Sequence, residues 1–292
     1  MTFQGLTFLL IALIGLFLVY VLVKPLFRGS KRKRLLGRPF PAEWEEILNR
    51  NVALYRYLPD SLKNELKGHI NVFLGEKTFE GCGGLEINDE IRVTIAAQAC
   101  ILLLNRVKPT YYPTLYSILV YPSAYVAKQV TVDGMQHTEE MSVRGGESWT
   151  RGEVVLAWDF VRKAAIDLTF GHNVVLHEFA HQLDQEDGRA DGAPILGRST
   201  SYKTWARVLS KEYEGLRRNT LSGRQDIMDA YGATNPAEFF AVATETFFEK
   251  PKQMKLIHPE LYEELRSYYG LDPLKWFDEG ERPSNNSETN AG

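Results

Sequence analysis

Two histidines and a glutamate near the middle of the chain have the spacing of a metal-dependent hydrolase. They are His177, Glu178 and His181, in the pattern His-Glu-x-x-His. Residues four apart lie on one face of a helix, so both imidazoles can point at one metal ion. Zinc accepts neutral imidazole nitrogens at about 2.0–2.1 Å, and a catalytic zinc keeps one position open for water. Glu178 stands beside His177, where it can act as general base toward that water.

The helix that carries this motif is expected to lie in the core. The other positions from Val174 to Leu183 are mostly apolar. Two imidazoles and a carboxylate are costly to bury unless something pairs them, and a metal ion would do so. Asn173 can cap the start of this helix, and Gly188 can end it. The alternative interpretation is a set of core histidines that ordinary hydrogen bonds satisfy.

A zinc hydrolase needs a third protein ligand, and the residues leave the choice open. Asp187 occupies the third-ligand position of the HExxHxxGxxH/D pattern. That pattern turns sharply at a glycine, whereas this chain has Asp184 there, which fits a left-handed turn less well. His258 is remote from the helical frame of the other candidates and ranks below them.

Two further carboxylates lie on a later helix, which Asn235 as cap and Pro236 as first residue begin. Glu238 is the first of them, although a glutamate at this position can also bond back to the cap without any metal. Glu245 shares its face but lies about 10 Å along the helix, so one zinc cannot readily take both. Glu245 is therefore better suited to orient a ligand histidine.

Three stretches resemble the Mlc titration factor A family of zinc metallopeptidases, which is related to the catalytic domain of anthrax lethal factor. The similarity extends over roughly residues 40–276. The stretches are Phe79-Glu80-Gly81 with Ile95-Ala96-Ala97-Gln98-Ala99, then Val174-Val175-Leu176-His177-Glu178-Phe179-Ala180-His181-Gln182-Leu183-Asp184, and finally Tyr231-Gly232 with Asn235-Pro236-Ala237-Glu238-Phe239-Phe240-Ala241-Val242.

The resemblance implies an α/β (α+β) fold of the zincin type, with a mixed sheet and the HExxH motif on the active-site helix. It implies Zn²⁺ held by His177, His181 and Glu238. It also implies that Tyr231, seven residues before Glu238, points at the metal, where a phenol could stabilise an oxyanion. The expected activity is aminopeptidase-like hydrolysis of peptide or protein substrates, and the expected partner in enteric bacteria is the glucose repressor Mlc.

A second function belongs to a different class. The protein could sequester a transcriptional repressor, with zinc serving structure and catalysis secondary. Glu178 favours the enzyme, because a purely structural metal site has no need of a general base.

Composition narrows the remaining function classes. The apolar fraction of 44% is ordinary for a globular protein. The net charge of −3 gives no reason to expect direct binding of nucleic acid. Cys82 and Cys100 are too few for a disulfide framework, so we expect two reduced thiols.

The N-terminal region predicts a membrane anchor. Residues 5–23 form a run of 19 without a charge, which at about 1.5 Å per residue just spans a hydrocarbon core of about 30 Å. Seven basic residues from Lys24 to Arg38 follow before the first acidic one, Glu43. Because a basic flank stays on the cytoplasmic side, we expect a single-pass inner-membrane protein whose catalytic domain faces the cytoplasm.

This pattern divides the chain into three parts. Residues 1–28 are the predicted transmembrane anchor with its basic flank, residues 29–280 the zincin-like domain, and residues 281–292 a disordered tail. Within the domain, strands are expected over residues 115–126 and 154–158. The second of these lies just before the zinc helix; it could pair with an extended peptide, and an ordinary strand inside a sheet fits the sequence equally well.

Overall fold

The computed structural model describes residues 13–16, 28–123, 125–133, 136–144, 146–149, 152–197 and 201–280. For residues 125–133, 136–144, 146–149 and 278–280 it describes the backbone alone. The helices are α1 (residues 28–36), α2 (Ala42–Asn51), α3 (Ala53–Tyr57), α4 (Asp60–Glu76), α5 (Asp89–Ile101), α6 (Trp158–Ile166), α7 (Val174–Asp184), α8 (Tyr202–Leu221), α9 (Pro236–Glu249), α10 (Pro251–Ile257), α11 (Pro259–Tyr269) and α12 (Pro273–Gly280). The strands are β1 (Thr78–Gly81), β2 (Ser117–Tyr121), β3 (Tyr125–Asp133), β4 (Gln136–Arg144), β5 (Gly146–Trp149) and β6 (Glu153–Ala157).

A small mixed sheet has the order β1-β2-β6-β5. The first three strands are parallel, with Ile118 opposite Val154, and β5 runs antiparallel to β6. The hairpin β3–β4 forms a second, two-stranded sheet. The protein is thus a mixed α/β structure, mostly helical in its described part, as the sequence predicted. Of the two alternatives for β6, the ordinary sheet strand is confirmed, because β2 and β5 pair with its two edges.

The core lies where α5, α7 and α9 meet. α7 packs against α9 on one side and α5 on the other. The alanines of α5 are fully buried and allow this close approach. Phe179 of α7 meets Tyr112 and Phe73 at ring-centroid distances of 4.8 and 5.7 Å. Each buried aromatic ring stabilises the fold by about 1.5–3 kcal/mol, so α7 is firmly seated in the core.

The basic segment α1 is packed onto the domain. Arg32 forms a two-pronged ion pair with Glu76, with N–O distances of 2.7 and 2.8 Å. Lys31 donates to the carbonyl of Gly75 at 3.0 Å, near the C-terminus of α4. A cation at a helix C-terminus interacts favourably with the helix dipole. Part of the basic flank therefore stabilises the fold.

The structure contradicts the predicted localisation. Among the described residues, no helix is long and apolar enough to cross a membrane. Of the apolar run, only residues 13–16 are described, and they are helical. The predicted single-pass anchor in the inner membrane, with a catalytic domain facing the cytoplasm, is corrected accordingly. The rest of the run and the predicted tail at 281–292 lie outside the described residues.

Candidate metal centre

Helix α7 is built to present its polar residues inside the core. The side chain of Asn173 accepts the backbone N–H of Leu176 at 3.0 Å, which caps the helix as the sequence predicted. At the other end, a short 3₁₀ turn follows, and Gly188 ends it with a left-handed φ of 88°. All eleven residues of α7 are buried. His177 and His181 are therefore fixed by the packing of the whole helix.

Helix α9 supplies the carboxylates. Asn235 accepts the backbone N–H of Glu238 at 3.0 Å, and Pro236 stands at the first helical position. The helix packs against α7, and its phenylalanines are buried with their rings against α8, α11 and α12. The side chain of Glu238 turns toward the histidines of α7 and not back to its own cap. Glu245 follows two turns later on the same face.

Three side chains converge on one point. Oε2 of Glu238 lies 2.9 Å from Nε2 of His177 and 3.1 Å from Nε2 of His181, and the two Nε2 atoms are 3.2 Å apart. Donor atoms that each lie about 2.0–2.1 Å from a tetrahedral zinc are about 3.3 Å apart. Two imidazoles and one carboxylate are also a donor set of catalytic zinc sites. Among the described residues, this group alone could hold a metal ion in this way.

The electrostatics of the cluster favour a cation at its centre. Burial disfavours the charged form of His177, but hydrogen bonds with Glu238 and Glu245 outweigh burial and raise the pKa of His177 well above its ordinary value. Burial likewise opposes the charge of Glu238, yet hydrogen bonds from His177 and His181 hold its pKa well below the usual range. A proton on an imidazole satisfies this preference for positive charge, and a divalent cation would satisfy it more fully.

The two residues expected to act on substrate lie beside this cluster. Glu178 is buried, with 5% of its surface exposed, and its charge contributes to the raised pKa of His177. Tyr231 lies in a 3₁₀ turn, Ala230–Ala233, and is 52% exposed. The centroid of its ring is 6.0 Å from that of the His177 ring. A half-exposed phenol next to buried ligand candidates lies where a substrate could reach both.

The other candidate ligands lie elsewhere. Asp187 is exposed and accepts the backbone N–H of Arg189 at 2.9 Å. His258 faces Glu212 and Asp226. Neither belongs to the converging group.

Glu245 instead lies behind the histidines. Its Oε1 is 2.7 Å from Nδ1 of His177, and its Oε2 accepts the backbone N–H of Asn173 at 2.6 Å. This carboxylate contacts the ring nitrogen that faces away from the cluster. Glu245 lies outside the converging group, and its expected role in orienting a histidine stays a prediction.

A loop braces the two helices of the centre. Asp184, fully buried at the end of α7, accepts the backbone N–H of Gly192 at 2.9 Å. The carbonyl of Gly192 accepts the indole N–H of Trp205 at 3.0 Å. At Gly192, with φ 77°, a Cβ would overlap the carbonyl oxygen of Pro236 at the start of α9. Burial raises the pKa of Asp184 to about 6. Sequence reasoning missed this brace, and its only signal was a glycine in a Gly- and Asp-rich loop.

Known proteins resemble the chain over most of its length. The family described as glucose-regulated metallo-peptidase M90 matches residues 27–270. An uncharacterized protein of Synechocystis sp. is 42% identical over 259 residues, which are 88% of this chain and 94% of that protein. Mlc titration factor A of Cronobacter sakazakii is 30% identical over 239 residues, 80% of this chain and 88% of that protein. Mlc titration factor A of Yersinia pestis is 29% identical over 238 residues, 80% of this chain and 86% of that protein.

Proposed function

The chain belongs to the family of glucose-regulated metallo-peptidases M90, and from that premise we propose that it is a zinc-dependent peptidase with aminopeptidase-like activity. Its metal ligands are His177, His181 and Glu238. One observation carries this proposal: three donor atoms from two buried helices converge at the spacing of a tetrahedral zinc site. Such convergence is costly without a cation to share.

The zincin type of fold is part of the proposal. The mixed sheet has one antiparallel edge strand, β5, and that strand packs against α7. An extended peptide that pairs with the outer edge of β5 by backbone hydrogen bonds would lie close to the metal-binding helix.

The residues around the centre have separate roles in this reaction. When bound, zinc supplies polarisation of the substrate carbonyl and makes water acidic enough to lose a proton near neutral pH. Glu178 would accept a proton from the attacking water and pass it to the leaving amine, because in the His-Glu-x-x-His pattern the glutamate next to the first ligand serves as general base. The Tyr231 hydroxyl donates a hydrogen bond to the oxyanion that develops on the substrate.

The test separates the general base from the ligands. Glu178→Gln is expected to keep its zinc, while hydrolysis of a fluorogenic aminopeptide falls by about 10²–10⁴-fold. Metal analysis and turnover would be measured on the same preparation. Undiminished turnover would contradict the role of Glu178, and a wild-type protein that binds no zinc would contradict the proposed function as a whole.

A second candidate function follows from the name of two relatives, Mlc titration factor A. The protein could bind a transcriptional repressor of the Mlc kind and keep it from its target. Calorimetry would measure the binding of purified Mlc to wild type and to Glu178→Gln, and so test this second function. Equal affinities in the two proteins would support sequestration beside catalysis, and no binding by either would remove it.

A further inference from the structure

One buried carboxylate links the two helices of the metal centre through the outer face of a ligand. Glu245 is 4% exposed, and its Oε1 lies 2.7 Å from Nδ1 of His177. We propose that Glu245 is a positioning residue: it accepts the Nδ1 proton of His177 and thereby directs the Nε2 lone pair of that ring toward the metal. The inference rests on the proposed zinc peptidase function.

The chemistry of the ring requires such a partner. A neutral imidazole carries one N–H and one lone pair, and either nitrogen can carry the proton. An ionised carboxylate can only accept hydrogen bonds, so its contact places the proton on Nδ1. The lone pair of His177 then lies on Nε2, which is the atom that faces Glu238 and His181. The wrong tautomer would present an N–H to the metal.

Glu245 is itself held by the start of α7. Its second oxygen accepts the backbone N–H of Asn173 at 2.6 Å, and Asn173 in turn caps that helix through Leu176. The half-exposed His172 approaches the same oxygen, with its Nδ1 3.6 Å away. The carboxylate is therefore tied to the backbone four residues before His177. The first turn of α7 therefore fixes the orientation of both the Glu245 carboxylate and the His177 ring.

Helix α9 also offers a matched control. Glu249, one turn beyond Glu245, accepts a hydrogen bond from Nδ2 of Asn173 at 3.0 Å. Burial raises its pKa well above the ordinary value. This hydrogen bond joins Glu249 to Asn173, the residue that Glu245 also bonds, whereas the carboxylate at Nδ1 of His177 is that of Glu245. Glu249→Gln thus disturbs the same network while leaving the Nδ1 acceptor in place.

The substitution Glu245→Gln preserves shape and removes the acceptor pair. If the new amide oxygen faces His177, its NH₂ group faces the N–H of Asn173, and two donors meet. If the amide turns over, its NH₂ faces Nδ1, which must then give up its proton to Nε2. Each orientation of the amide therefore disrupts one of the two contacts, either the one with Asn173 or the one with His177. Glu245→Asp keeps the charge but is one methylene shorter.

The experiment compares zinc affinity in the full chain of wild type and these three variants, by competition with a chromophoric chelator. Glu245→Gln is expected to bind zinc about 10–100-fold more weakly than wild type. Glu249→Gln is expected to have the zinc affinity of wild type. Glu245→Asp is expected to have an affinity between those of wild type and Glu245→Gln. Thermal melting of each protein reports whether it is folded.

A second readout follows the proton itself. Histidine-selective ¹⁵N–¹H spectra of the zinc-loaded wild type should show His177 coordinated through Nε2, with a slowly exchanging Nδ1–H at low field. A merely structural carboxylate would not produce this resonance. In Glu245→Gln the Nδ1–H of His177 should exchange faster with solvent, and its resonance should move to higher field.

Several results would overturn the inference. These are wild-type affinity in Glu245→Gln, an equal loss in Glu249→Gln, or coordination of His177 through Nδ1. If Glu245→Gln does not fold, two measurements still test the role of Glu245. These are the Nδ1–H resonance of wild type and the zinc affinity of Glu245→Asp compared with that of Glu249→Gln. A wild type that binds no zinc would defeat the proposed function, whereas a zinc-binding wild type without these effects would defeat only the role of Glu245.

Discussion

The metal centre between α7 and α9 and a second cluster near the start of α11 both place a histidine between two carboxylates. In the second cluster, Nδ1 of His258 lies 2.8 Å from Glu212, and its Nε2 lies 3.1 Å from Asp226. Each ring nitrogen has its own carboxylate on an opposite side. A protonated imidazole satisfies that arrangement completely, because both N–H groups donate.

The metal centre differs by a single added ring. His177 also faces two carboxylates, but Nε2 of His181 lies 3.1 Å from the same oxygen of Glu238 that His177 contacts. One proton bridges one pair of these atoms, whereas one metal ion at their centre can take all three as ligands. Buried histidines with acidic partners therefore separate into two kinds: diverging contacts hold a proton, and converging contacts can hold a metal ion.

The largest expected effect comes from breaking the convergence. Glu238→Ala removes the shared oxygen and should weaken zinc binding by more than the about 10–100-fold expected for a residue behind the ligands. The zinc content after dialysis against a mild chelator measures this. Asp187→Ala is the control, because this exposed carboxylate lies outside the cluster. If Glu238→Ala retained its zinc and Asp187→Ala lost it, the third ligand would be Asp187 and not Glu238.

The next prediction concerns the loop that braces α7 and α9 through Asp184 and Gly192. Gly192→Ala puts a methyl group against the carbonyl of Pro236 and strains a left-handed residue, so we expect a loss of about 2–4 kcal/mol in the free energy of unfolding. Gly188→Ala is a matched control, since that residue has φ 88° but open space around its Cβ. It should lose only about 1 kcal/mol. Urea unfolding measures both, and equal losses would show that the contact with Pro236 is unimportant.

The smallest effect concerns the diverging cluster and depends on pH. Burial opposes the charge of His258, but hydrogen bonds to Asp226 and Glu212 outweigh it and raise its pKa to about 9. The unfolded value is about 6.5, so the stability that His258 contributes is fully present below about pH 6.5 and is lost as pH rises through about 9. His258→Gln should therefore cost about 1.5–3 kcal/mol at about pH 6 and much less at about pH 10.

Urea unfolding of wild type and His258→Gln at both pH values measures this difference. Arg217→Gln, which removes an exposed ion pair with Glu214, should change stability by less than about 0.5 kcal/mol at either pH. A cost of His258→Gln that grows with pH would contradict the assignment of a charged imidazole. Loss of bound zinc in His258→Gln at neutral pH would contradict the separation of the two clusters.

The sequence predicted best what lies within one helix. His177, Glu178 and His181 follow from a spacing of four, and Asn173 and Asn235 act as the caps that their positions indicated. A helical period needs no knowledge of the rest of the fold. Glu238 lies 61 residues from His177, and spacing alone could not select it from the other carboxylates. The resemblance to a known family did so.

Tertiary contacts escaped prediction for a physical reason. Asp184 and Gly192 acquire their role only when α7, the following loop and α9 are packed together. The position of β6 inside the sheet likewise depends on which strands become its neighbours. The short helices α6, α10 and α12 were not predicted, because seven to nine residues carry too little periodic pattern.

The central claim is that one metal ion binds where the three side chains converge. Crystals grown with one equivalent of zinc and measured at the zinc absorption edge test it most directly. We expect a single strong anomalous peak about 2.0–2.1 Å from Nε2 of His177, Nε2 of His181 and a carboxylate oxygen of Glu238. An anomalous map with zinc at another site, or with no zinc between α7 and α9, would contradict it.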